Sequence, residues 1–104
     1  MQKIAKINLK DAPIGDRGQR ILTQGEDMGM RYWYKQPDVE KSQHVNEYET
    51  LGFAIEGRAR IVVDDSERLL EPGDSWQVPA GKPHHYEILE PFAAVEVTSP
   101  STVS

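Results

Sequence analysis

The sequence predicts an all-β fold, a sandwich or barrel of short strands. Two observations carry this. Gly, Pro and Asp punctuate the chain at short intervals with β-type runs between them, and no window shows a helical apolar period. Many short strands at regular spacing are the pattern of sandwiches and barrels rather than of helical or mixed folds.

Taken in order, residues 19–24 form a short candidate strand. Residues 28–35 are a stronger one, because Met30, Tyr32 and Tyr34 alternate with Arg31, Trp33 and Lys35. Pro37 and Asp38 end it. Residues 49–56 and 58–64 read as a hairpin joined around Gly57, which tolerates a positive φ. Asp64-Asp65-Ser66 is a second turn signal, followed by a strand over 68–70. Runs 75–78, 85–89 and 93–98 complete the set. Gly15 and Gly18 lack the lysine and strand-helix context of a phosphate loop and read as a turn.

With 104 residues the chain has the size of one domain, spanning 1–104 with a barrel core over about 19–98 and a polar tail over 99–104. That length buries a core without staples. The chain has no cysteine, which excludes disulfides, thiolate catalysis and sulfur-ligated zinc. The formal net charge of -5 leaves no surplus of Lys and Arg to neutralise phosphates, so nucleic acid is not an expected partner. Anionic membrane surfaces are disfavoured for the same reason, and no apolar run approaches bilayer length. The charged start lacks the apolar stretch of a signal peptide, so a cytoplasmic protein is expected.

Chemistry concentrates around three histidines, His44, His84 and His85. If the chain runs extended through residues 43–57, His44, Asn46, Tyr48 and Thr50 share one face, and Gly52 and Ala54 continue it. Polar groups followed by small ones suit a pocket wall with room for a ligand. Leu51, Phe53 and Ile55 share the other face, which needs a cover, either the domain's own core or a second subunit. Farther on, Gly73 opens a short strand, Pro79-Ala80-Gly81 makes a tight turn, and His84 follows at a fixed offset. This delivers one imidazole from a rigid corner. Tyr86 and Ile88 share the His84 face, while His85 falls on the opposite one. Trp33, Trp76, Tyr32 and Tyr34 are candidates to stack on a planar ligand or to fill the core.

The stretch from Gly73 to Ile88 resembles the second motif of the cupin family, which ends in Asn where this chain has Ile88. The segment ending at Gly57 resembles the first cupin motif, a glycine, two histidines one residue apart, a glutamate and a final glycine. In that alignment His44 stands at the first histidine, Asn46 at the second and Thr50 at the glutamate. The resemblance implies a jelly-roll (double-stranded β-helix) barrel, a homodimer, and a site inside the barrel. A full cupin set of three His and one carboxylate would hold Fe, Mn, Ni, Zn or Cu. Here the matching positions offer His44, Asn46, Thr50 and His84, so any divalent metal would rest on His44, His84 and Asn46 without a charged ligand. A one-residue register shift, made by a β-bulge, would bring in Glu49.

The expected function is binding of a small molecule inside the barrel by His44, Asn46, Tyr48, Thr50, His84 and Tyr86, with a divalent metal as an optional guest. The alternative is a metal-dependent oxygenase, isomerase or lyase in the same pocket, with Tyr48 as candidate proton donor or acceptor. A noncatalytic sensory or interaction module is a third possibility.

Overall fold

A computed structural model describes residues 4–39 and 43–101. Among the described residues nine strands form two antiparallel sheets: β1 (Arg20–Gln24), β2 (Gly29–Lys35), β3 (Asp38–Val39), β4 (Glu49–Glu56), β5 (Ala59–Val63), β6 (Ser66–Leu70), β7 (Ser75–Val78), β8 (His84–Ile88) and β9 (Phe92–Ser99). The five-stranded sheet runs β1-β2-β9-β4-β7 and the four-stranded sheet β3-β8-β5-β6. This is the two-sheet, all-antiparallel arrangement of a jelly-roll barrel. Among the described residues no helix is long and apolar enough to cross a membrane.

The core lies between the sheets where Ala54, Ala94 and Phe92 face Ala59, Ile61, Leu70 and Ile88. Phe92 is fully buried, and its removal from water contributes about 2 to 3 kcal/mol. Trp33 packs on Phe92 at a ring-centroid distance of 5.4 Å, and Trp76 does so at 6.3 Å.

The predicted hairpin around Gly57 is not one. β4 pairs with β7 and β9, whereas β5 pairs with β6 and β8. Gly57 carries the chain between the sheets. Its φ of +85° and the Pro91 carbonyl packed where a Cβ would stand both require glycine. β5 instead forms a hairpin with β6, whose turn at Asp64-Asp65 holds Asp64 at φ +52°. Pro37 stops β2 at Lys35 as expected, but Asp38 does not end the extended chain, because β3 follows at once in the other sheet. At the C-terminus, Ser99 closes β9 and donates through Oγ to the Asp27 carbonyl (2.9 Å), and Ser101 hydrogen-bonds Gln24. The remainder of the predicted tail, 102–104, lies outside the described residues.

The five-stranded sheet inverts the usual amphipathic pattern. Across β2, β9, β4 and β7 the inward rows are Gly29–Thr98–Thr50–Val78, then Arg31–Glu96–Gly52–Trp76, then Trp33–Ala94–Ala54. The outward rows are Met30–Val97–Leu51 and Tyr32–Val95–Phe53. Charge therefore points into the barrel, and a large apolar surface points out.

Candidate functional site

A cavity of about 250 Å³ opens between the sheets. His44, Asn46, Tyr48, Thr50, His84 and Tyr86 all line it, joined by Arg17, Gln19, Arg31, Trp33, Lys35, Val78 and Glu96.

The segment before β4 is not a regular strand, yet its side chains keep strand parity. His44, Asn46 and Tyr48 are half-buried while Val45, Glu47 and Glu49 are exposed, and Thr50 is buried. Backbone bonds fix this segment. His44 N–H donates to the His84 carbonyl (2.7 Å) and His84 N–H to the His44 carbonyl (2.9 Å), forming an isolated antiparallel bridge. Gly81, at φ +78°, donates to the Asn46 carbonyl (2.8 Å), so the Pro79–Gly81 corner holds the same segment. The bridge sets the His44 and His84 rings 6.1 Å apart. His84 Nδ1 lies 3.1 Å from the Lys82 carbonyl. A carbonyl only accepts, so Nδ1 is the donor in this contact, and in the neutral ring that leaves Nε2 as the acceptor.

The second feature of the wall is a charged chain the sequence reading did not identify. Arg31 donates from Nε to Glu96 Oε1 (2.9 Å), with Nη2 also 2.9 Å from that oxygen. Trp76 Nε1–H donates to the Tyr86 hydroxyl (3.0 Å), which donates to Glu96 Oε2 (3.0 Å). Arg31 also lies 5.7 Å from the centroid of the Tyr48 ring. Burial alone would lower the Arg31 pKa, but Glu96 and Tyr48 outweigh it and hold it above the ordinary value. Burial, with Glu96 beside it, pushes the Tyr86 phenol well above the usual tyrosine range, so Tyr86 stays protonated as a donor.

Several expectations change. Gly52 and Ala54 do not leave room for a ligand. The Trp76 ring occupies the space a Gly52 Cβ would need, and Ala54 is in the core. Ile88 is core rather than pocket end, and Tyr32 and Tyr34 are not on the cavity wall, leaving Trp33 as its indole. The β4–β9 register runs unbroken from Glu49 to Ala54, with its irregularity only between Ala54 and Glu56. Glu49 therefore stays outside, hydrogen-bonded by Gln77, and does not replace Thr50 on the wall. His85 pairs with Val62 and is not on the cavity wall.

The donor set does not fit a tightly held transition metal. Two imidazoles, an amide and a hydroxyl converge, while the wall's carboxylate is committed to Arg31 and Tyr86. Among the described residues, no group of three His, Cys, Asp or Glu side chains gathers where an ion could sit.

Comparison with known proteins agrees with this geometry. The cupin domain family matches residues 32–98, and the chain belongs to that family. No curated protein matches the chain. Among solved structures it is similar to an RmlC-like cupin from Shewanella frigidimarina, at 18% identity and a TM-score of 0.81, over 95% of this chain and 93% of that one. TT1209 from Thermus thermophilus aligns at 27% identity and a TM-score of 0.70, over 92% of this chain and 97% of that one. KdgF from Halomonas sp. aligns at 22% identity and a TM-score of 0.71, over 79% of this chain and 78% of that one.

Proposed function

We propose that this cupin binds a small molecule inside its barrel without depending on a metal. The observation that supports this is the cavity wall itself. Polar groups from β2, β4, β8, β9 and the 43–48 segment converge on one space, with Trp33 as an apolar face. His84 Nε2 accepts, while Asn46 and Tyr48 both donate and accept, so a hydroxylated or carbonyl-bearing ligand finds partners.

A metal-dependent enzyme in the same pocket would have to rest on His44, His84 and Asn46. The bridge that pairs the two imidazoles is the observation in its favour, and the missing carboxylate is the one against it. Elemental analysis of the purified protein before and after chelator decides between them. The expected result is far less than one transition metal per chain, with the fold and ligand-induced thermal stabilisation surviving chelation. At a hundredfold excess over Kd, a ligand adds about 2.7 kcal/mol, a rise in Tm of roughly 10 °C or more for a domain this size. A stoichiometric metal that disappears in both His44→Ala and His84→Ala would replace this reading with the metalloenzyme.

The same reading includes a homodimer. Leu51, Phe53 and Ile55 are 55%, 51% and 46% exposed, and with Met30, Val95, Val97 and Tyr34 they make a continuous apolar sheet face. Such a face, carrying charge only at margins such as Arg20 and Glu49, suits a second copy of itself across a two-fold axis.

A further inference from the structure

We infer that the cavity selects a small organic acid whose carboxylate is held by Arg17 and Lys35, a conclusion that rests on the barrel-ligand reading above. The first observation is charge. The chain is acidic overall, with a formal net charge of -5. Among the described residues its cavity wall nevertheless carries Arg17, Arg31 and Lys35 against the single carboxylate of Glu96. The second observation is pairing. Glu96 is used by Arg31 and Tyr86. Arg58, Arg60 and Lys82, elsewhere on the surface, are each matched to carboxylates. Arg17 and Lys35 make no ion pair among the described residues.

The two cations also belong together. Both line the same cavity: Lys35 ends β2, and Arg17 lies in the turn that leads into β1, closed by the Gly18 N–H to Gly15 carbonyl bond (3.0 Å). Lys35 Nζ sits 5.7 Å over the Trp33 ring, at the cavity wall. Arg17 is held nearby because its backbone N–H donates to Gln19 Oε1 (2.9 Å). A concave site with unmatched positive charge focuses the field and concentrates anions. Arg presents a planar fork that matches a carboxylate, and Lys adds a mobile point charge. The volume of about 250 Å³ equals roughly eight waters at about 30 Å³ each, so the acid has on the order of ten non-hydrogen atoms. Its oxygenated remainder would meet His84 Nε2, Asn46 and Tyr48.

Calorimetry with matched probes tests this. Succinate, malate and gluconate are compared with succinamide, malamide and gluconamide, and with glycerol phosphate, at low and high salt. The expected result is that at least one acid binds about tenfold or more tightly than its amide, and more weakly as salt rises. Arg17→Gln and Lys35→Gln should each weaken that acid by about tenfold and leave amide binding unchanged. Both positions are exposed, so the fold should survive. Equal binding of acid and amide overturns the anion assignment while leaving the barrel-ligand reading intact. Tighter binding of glycerol phosphate than of any carboxylate overturns the carboxylate assignment. No binding by any probe counts against both readings.

Discussion

Glu96 is the residue on which the pocket depends most. Its side chain keeps 4% of its surface and faces Arg31, which keeps 20%. Glu96→Gln would leave Arg31 largely buried beside a neutral amide and would weaken the acceptor for Tyr86. Removing one partner of a buried pair costs more than the pair contributes, so a loss of about 2 to 3 kcal/mol is expected, moderated by the residual hydration of Arg31. Urea unfolding measures it, and a midpoint matching the wild type would show that Arg31 simply swings to water. Sequence reasoning could find half of this site. The polar residues from His44 to Thr50 were legible because alternation survives even where regular strand pairing does not, and His84 because Gly, Pro and Gly fix its corner. Glu96 and Arg31 were not legible. They lie between Val95 and Val97 and beside Met30 and Tyr32, and alternation assigns the apolar partners to the core unless the outer face is known to be apolar.

At the level of elements, β4 and β7 act on the cavity wall through one contact behind Tyr86. Trp76 lies across Gly52, and its indole N–H orients the Tyr86 hydroxyl toward Glu96. Gly52→Ala would force the ring off this position, an overpacking cost of about 1 to 3 kcal/mol. Tm should fall by roughly 5 to 15 °C, and the indole N–H resonance of Trp76 should move as it loses its partner. An unchanged resonance with an unchanged Tm would show that the sheet absorbs the methyl group without moving Trp76. Strand positions themselves were largely legible, since β4 and β7 match the predicted limits and most of the others shift by a residue or two. Pairing was less so. Gly57 signals a turn, but a positive φ does not say whether the chain returns in its own sheet or crosses to the facing one. Only the long-range pairing of β9 with β4 and β2 settles that.

For the molecule as a whole, the inversion of the five-stranded sheet links the pocket to assembly. Filling the inner rows with Arg31, Glu96 and Thr50 moves the aliphatic members of those strands outward, where Leu51, Phe53, Met30 and Val97 gather. An exposed apolar face of this kind is a liability for a monomer and an asset for a two-fold dimer. The resemblance of the motifs to cupins implied a dimer, and the alternation of β4 pointed to the face. Placing Phe53→Glu at its centre should convert a dimer to a monomer with little loss of fold, because Phe53 is half-exposed within the subunit and does not line the cavity. Light scattering coupled to size exclusion reads the mass directly. Wild-type protein that remains monomeric at high micromolar concentration would remove the dimer from the proposal. A Phe53→Glu variant that stays dimeric would move the interface elsewhere. If the variant is monomeric and still binds its ligand, assembly and pocket are separate consequences of the same inverted sheet. If binding is lost while circular dichroism is unchanged, the dimer braces β4 and with it Thr50 on the cavity wall and the Gly52–Trp76 contact behind Tyr86.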